Sequence, residues 1–229
     1  MLNKLIQAAH LLLVSSIFIP LIAQEQPQRN KKYQGKNPPI KPVKHSNGNI
    51  ELSGILLNRT KKEISFEAEF IVGAEPNKEY LITTNPDLSH EALFFTKIQP
   101  FHLQFMLYAL GADTKTIRTP KGRRGSIIDI EVEYKNKGRV IRKNIESWLK
   151  EDGQPSRRRG FYFLGSRIYD NFFQAQANGK ICSLWHQDDA ILDIIHPEND
   201  RGDIFSLNHN NLGLHKFSKV KIVLSLRKE

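Results

Sequence analysis

The sequence predicts an α+β domain: a mostly antiparallel sheet with one main buried helix, at about residues 100–111, and few other short helices. Period-two alternation marks several strands, while the clearest stretch with apolar residues at helical spacing is the one near residue 100. Strands also outnumber helices and do not alternate with them, which argues against a doubly wound α/β sheet.

The elements follow in chain order. Residues 1–23 hold one charge, Lys4, and an apolar stretch from about Leu11 to Ile22 that stops at Gln24. This is the pattern of a secretory signal peptide, too short and too interrupted by Pro20 for a membrane span. Residues 24–48 carry four prolines and six Lys/Arg against one Glu, with no apolar period, and are expected to be a basic, disordered linker. From residue 49 to 229 a single domain is expected.

Ile50, Leu52, Ile55 and Leu57 begin its first strand region, and Asn58–Lys61 turns it into the alternating run Ile64, Phe66, Ala68, Phe70. Glu79–Thr84 is a short strand. Pro100 suits a first helical turn, Leu103, Met106, Leu107 and Leu110 share a face, and Gly111 suits the C-cap. Ser126–Tyr134 alternates again and turns at Lys135–Gly138 into Arg139–Arg142. Ile145–Leu149 reads as one helical turn. Further strands are expected at Phe161–Ile168, Phe172–Ala177, Ile181–Trp185, Ile204–Leu207 and Val220–Leu226, with Asn178-Gly179 as a type I′ turn.

Composition excludes several chemistries. The chain has 229 residues, 34 Lys+Arg against 24 Asp+Glu, and one cysteine. No cofactor is expected: a lone Cys182 cannot ligate an iron–sulfur cluster, form a thiolate zinc site or close an internal disulfide. Mid-strand, it reads as a buried, inert thiol. P-loop, dinucleotide, serine-hydrolase and zincin motifs are absent. His90-Glu91 opens like the zincin motif, but Phe94 stands where the second histidine is required.

Three constellations remain. His90, Glu91 and His102 flank the helix entry and could meet on a metal or an anion. The stretch His186–Asp203 holds six acids and one arginine, without the regular oxygen spacing of a calcium loop, and reads as a solvated acidic loop. Basic runs include Arg123 and Arg124, Lys135–Lys143, and Arg157, Arg158 and Arg159, all at loops or turns. Arginine pairs grip phosphate, sulfate or carboxylate through a planar fork of donors. Aromatic residues are not interleaved with these runs, which weighs against nucleic acid and for an anionic polysaccharide or membrane surface.

His90-Glu91-Ala92, Pro100, His102 and Leu110-Gly111-Ala112, with Glu131-Val132-Glu133-Tyr134, Trp148-Leu149 and Phe163-Leu164-Gly165-Ser166, resemble the YdjY-like secreted proteins of planctomycetes and verrucomicrobia. The resemblance spans about residues 49–200 and implies a secreted or periplasmic protein. It assigns no catalytic residue, and the ferredoxin-like label used within that family does not fit a chain with one cysteine.

The leading expectation is thus an exported, non-catalytic binding domain whose basic loops meet an anionic envelope or extracellular partner. A metal-assisted or hydrolase-like enzyme centred on His90, Glu91 and His102, and a structural part of a surface assembly, are the alternatives.

Overall fold

The computed structural model describes residues 37–71, 78–115, 117–119, 122–169, 172–209 and 218–227. The expected signal peptide and the linker up to residue 36 lie outside the described residues. Within them no helix is long and apolar enough to cross a membrane.

Three long strands set the architecture. β1 (Glu63–Phe70), β4 (Ile127–Asn136) and β8 (Lys219–Leu226) each alternate apolar and polar residues. β8 lies antiparallel between the other two, so Phe66, Ile222 and Val132 form one inward row and Ile64, Leu224 and Ile130 the next. All six side chains are buried. Burial of each contributes about 1.5–3 kcal/mol, which makes this register the strongest local determinant of the fold. On the outer face the same register places Glu67, Lys221 and Glu133 side by side, with an ion pair between the last two. Arg142, on the neighbouring strand Arg139–Asn144, reaches over β8 to Glu63 at 2.8 Å and Glu131 at 2.6 Å.

The remaining strands are short: β2 (Tyr80–Thr83), β3 (Ala92–Phe95), β5 (Phe161–Phe163), β6 (Lys180–Ser183) and β7 (Leu192–Ile194). Around the sheet the order is β1–β8–β4–β5–β7–β6–β2–β3, and β3 pairs back onto β1 through Glu69 with Phe95 and Phe70 with Phe94. Eight strands therefore close into a barrel. Two pairs, β2 with β3 and β6 with β7, are parallel, and the other six pairs are antiparallel.

This corrects the α+β expectation: the protein is mostly β, organised as a closed barrel rather than an open sheet backed by a helix. The helix itself is present. α1 (Pro100–Leu110) starts on Pro100 and ends at Gly111, whose φ of 100° is the left-handed conformation that glycine adopts without strain. Its buried residues, among them Leu103, Met106 and Leu107, pack on β1 and on the strand Ile55–Asn58. It is an addition to the barrel wall, not one layer of a two-layer domain. Inside the wall, Phe94 of β3 packs on Phe70 and Trp148 with ring centroids 5.4 and 5.7 Å apart, and Tyr134 meets Trp148 at 6.1 Å.

Other expectations also shift. The domain starts before residue 49, since Val43–Lys44 pairs with Ile50–Leu52 and Pro39 accepts a hydrogen bond from His102. The segment expected as a strand at Phe172–Ala177 is a strand only at Phe172–Phe173. It continues as a short helix, α2 (Gln174–Asn178), and Gly179 at φ 79° caps that helix instead of forming a hairpin turn. Strands β3 and β7 are additional to those expected.

Candidate functional site

The three residues proposed as a metal or anion cluster have separate structural tasks. His90 ends the 3₁₀ turn Pro86–Glu91 with its side chain exposed, 3.3 Å from Glu91. Its carbonyl accepts from Nζ of the buried Lys78 at 2.8 Å. His102 is buried in the first turn of α1, and Nε2 donates to the Pro39 carbonyl at 3.1 Å. Because a carbonyl only accepts, the proton sits on Nε2, and Nδ1 is left buried without a partner. Among the described residues no three His, Cys, Asp or Glu side chains are placed to hold a metal ion.

The arginines separate similarly. Arg158 pairs with Asp129 at 3.2 Å, and Arg159 holds Glu151 through Nε at 3.1 Å while its backbone N–H, with that of Gly160, donates to the buried Glu146. Arg227 completes the network by gripping Asp129 and donating to the Arg159 carbonyl. Burial raises the Asp129 carboxyl, but Arg227 and Arg158 outweigh it and hold it below the usual carboxylate range. Arg159 likewise holds Glu151 low, against burial and with help from His196. These cations lock the 146–160 segment to the barrel, which leaves only Arg157 of the run exposed and without an ion pair among the described residues. Arg124 is half-buried, and the side chain of Arg123 lies outside the described residues.

Uncommitted positive charge sits elsewhere. β4 runs on into a hairpin with Arg139–Asn144, and its tip exposes Lys135, Lys137 and Arg139 with no ion pair to any described residue. Val140, opposite Lys135, is 63% exposed. The β8–β4 pairing ends at Lys221 and Glu133, and Lys219 lies two residues earlier on β8, opposite Glu69 of β1. Lys219 lines a cleft of about 190 Å³ and Lys221 an adjoining one of about 470 Å³, where β1 exchanges one neighbour, Ile55–Asn58, for the other, β3. Lys97 edges both clefts, and Glu67 forms part of the floor. The sequence displayed the basic run Lys135–Lys143, but not that Arg142 would be bound by Glu63 and Glu131 while the tip stays without an ion pair among the described residues.

A second feature lies across β5, β7, β6 and β2, where the register aligns Tyr162, Asp193, Ser183 and Tyr80. Asp193 points away from Leu192 and Ile194, yet is fully buried beneath the segment Trp185–Asn199. His186 Nδ1 lies 2.8 Å and Asn199 Nδ2 3.3 Å from its Oδ2, while Oδ1 has no partner. Burial pushes the carboxyl up to about 6, against the pull of His186 and then of Arg124. Tyr80 shares hydrogen bonds with Gln187, and burial raises its phenol. Cys182 is buried as expected, and burial pushes its thiol well up, so it stays protonated and unreactive. Among the described residues no nucleophile is joined to His186: the Ser183 hydroxyl donates to the Trp185 carbonyl instead. The expectation of a solvated loop over His186–Asp203 therefore fails at its centre. The apolar run Ala190–Ile195 around Asp193 was the available signal of a buried strand.

No family model, no curated protein and no solved structure matches this chain.

Proposed function

We propose that this protein is an exported, non-catalytic binding domain that docks on an anionic cell-envelope surface through the tip of the β4 hairpin. The observation that carries the reading is the exposed set Lys135, Lys137 and Arg139, without an ion pair among the described residues, beside the exposed Val140. Clustered like charges repel one another, and anionic headgroups relieve that repulsion while the apolar Val140 side chain enters the interface. Each Lys or Arg near such a surface contributes about 1 kcal/mol, so the three tip residues together supply about 3 kcal/mol, all of it sensitive to salt. A place among the YdjY-like secreted proteins fits this reading and adds no residue to it.

The test is binding to vesicles with anionic and with neutral headgroups, at low and high salt. The variant K135Q/K137Q/R139Q is expected to lose about 100-fold in affinity for anionic vesicles, from about 3 kcal/mol of lost attraction. Arg157→Gln, one exposed cation outside the hairpin, should lose less than about tenfold. Equal binding by the wild type and the triple variant would remove the proposal. Preference for an anionic polysaccharide over the vesicles would redirect it to that partner.

A further inference from the structure

His186 is held between two carboxylates, one on each ring nitrogen. Nδ1 lies 2.8 Å from Oδ2 of Asp193, and Nε2 lies 3.0 Å from Oδ1 of Asp188. Ionised carboxylates only accept, so the Asp193 contact, a hydrogen bond, needs its proton on Nδ1, while the Asp188 contact is an ion pair that needs the ring charged. A neutral imidazole has one such proton. Its other nitrogen would then set a lone pair against the lone pairs of an oxygen, which is repulsive.

The two carboxylates are unequal. Asp193 is wholly buried on β7, its Oδ1 is unpartnered, and the neighbouring donors to Oδ2 are His186 and Asn199. Asp188 stands on the exposed turn, with its side chain 43% accessible and Arg167 as a second partner. If one contact has to go, the lower-cost loss is Asp188, which water and Arg167 can satisfy.

The remaining charged and titratable groups around the pair are few. Arg124, on the short strand Gly122–Arg124, lowers the Asp193 carboxyl. Cys182 on β6 feels the charges of both Asp193 and Glu146. Tyr80 on β2 meets Gln187, next to His186. Asp189 is occupied by Lys180 at 3.0 Å. None of these offers His186 a second acceptor.

We propose that His186 is a proton-operated latch on the outer wall of the barrel. Protonated, it ties the exposed turn at Asp188 to the buried Asp193; neutral, it keeps Asp193 and releases Asp188. Burial raises the Asp193 carboxyl, so its proton is coupled to the one on the ring it contacts. The latch thus closes when the ring takes up its second proton and loosens when the ring gives it up. The part of the surface it controls is the Gln187–Asp189 turn, separate from the β4 hairpin tip.

The experiment is a pH titration of the whole chain by nuclear magnetic resonance. It follows the His186 ring signals together with hydrogen exchange of the Arg167 and Ala190 amides, which donate to the Asp188 and Gln187 carbonyls of the turn. After correction for intrinsic exchange, these amides of the wild type are expected to lose about two- to fivefold protection as His186 deprotonates, with a shared midpoint. Asp188→Asn should remove the step in protection while His186 still titrates, and His186→Gln should remove both. Asp188 is exposed, so that variant keeps the test alive if His186→Gln fails to fold. Protection that stays constant while His186 titrates, or an unchanged step in Asp188→Asn, would overturn the latch.

Discussion

Trp148→Ala is expected to destabilise the protein by about 3–5 kcal/mol, and Leu56→Ala by less than about 2 kcal/mol. Trp148 is the largest of the fully buried side chains and closes the 3₁₀ turn Ile145–Trp148. Its indole fills the space between Phe94 of β3 and Tyr134 of β4. β3 is also the strand that closes the barrel onto β1. Truncation leaves a void that neighbouring side chains cannot collapse into without moving a barrel strand, so the cavity cost adds to the lost transfer energy. Leu56 alternates with the buried Ile55 and Leu57, is itself only half-buried, and can relax toward solvent. Urea midpoints at constant slope are the readout. Equal losses in the two variants would mean that the barrel is not closed around Trp148.

Asp193→Asn is expected to change the pH dependence of stability more than any other single substitution at the Trp185–Asn199 segment. The folded carboxyl titrates at about 6, above the ordinary 3.8. A raised value means that the folded state binds the proton more tightly than the unfolded one. Its stabilising contribution is therefore full below pH 3.8 and is lost as pH rises through about 6. For a buried carboxyl raised this far the contribution is about 3 kcal/mol. Asp129 and Glu151 act in the opposite sense: their lowered values give stability at neutral pH that fades in acid. Asparagine cannot titrate, so the variant gains on the wild type between about pH 4 and about pH 6.5. Urea denaturation of both proteins at about pH 4, 5, 6 and 7 measures this. A constant difference across the series would show that Asp193 titrates alike in the folded and unfolded chain.

The parts of the fold legible in the sequence are those with one wet face. β1, β4 and β8 alternate because their outward residues reach solvent, and α1 carries its start and stop residues. β3 and β7 are mostly buried on both faces, so their period vanishes: Ala-Leu-Phe-Phe and Leu-Asp-Ile carry no alternation to read. Each is also joined to a parallel neighbour by a connection of only eight residues, 84–91 and 184–191, shorter than the dozen or so that parallel crossovers usually need. Closure depends on Phe70 meeting Phe94, a pairing that no local pattern encodes.

The site follows the same logic. Arg158 and Arg159 looked available because their nearest acids in sequence did not reveal that Asp129 and Glu151 would fold onto them. Lys135, Lys137 and Arg139 looked the same, yet remain uncommitted because their hairpin projects past the last acid of β4. Asp193 and His186 were legible as residues but not as partners, since the acids around them masked the apolar strand between.

The most direct test of the docking claim places an environment-sensitive dye at Val140→Cys. The only native thiol, Cys182, is buried, so position 140 takes the label. The same dye at Lys61→Cys, on the exposed turn at the opposite end of β1, is the control. The account predicts a blue shift at position 140 with anionic vesicles, abolished by high salt, absent with neutral vesicles and absent at position 61. No shift at 140, or the same shift at both positions, would contradict it.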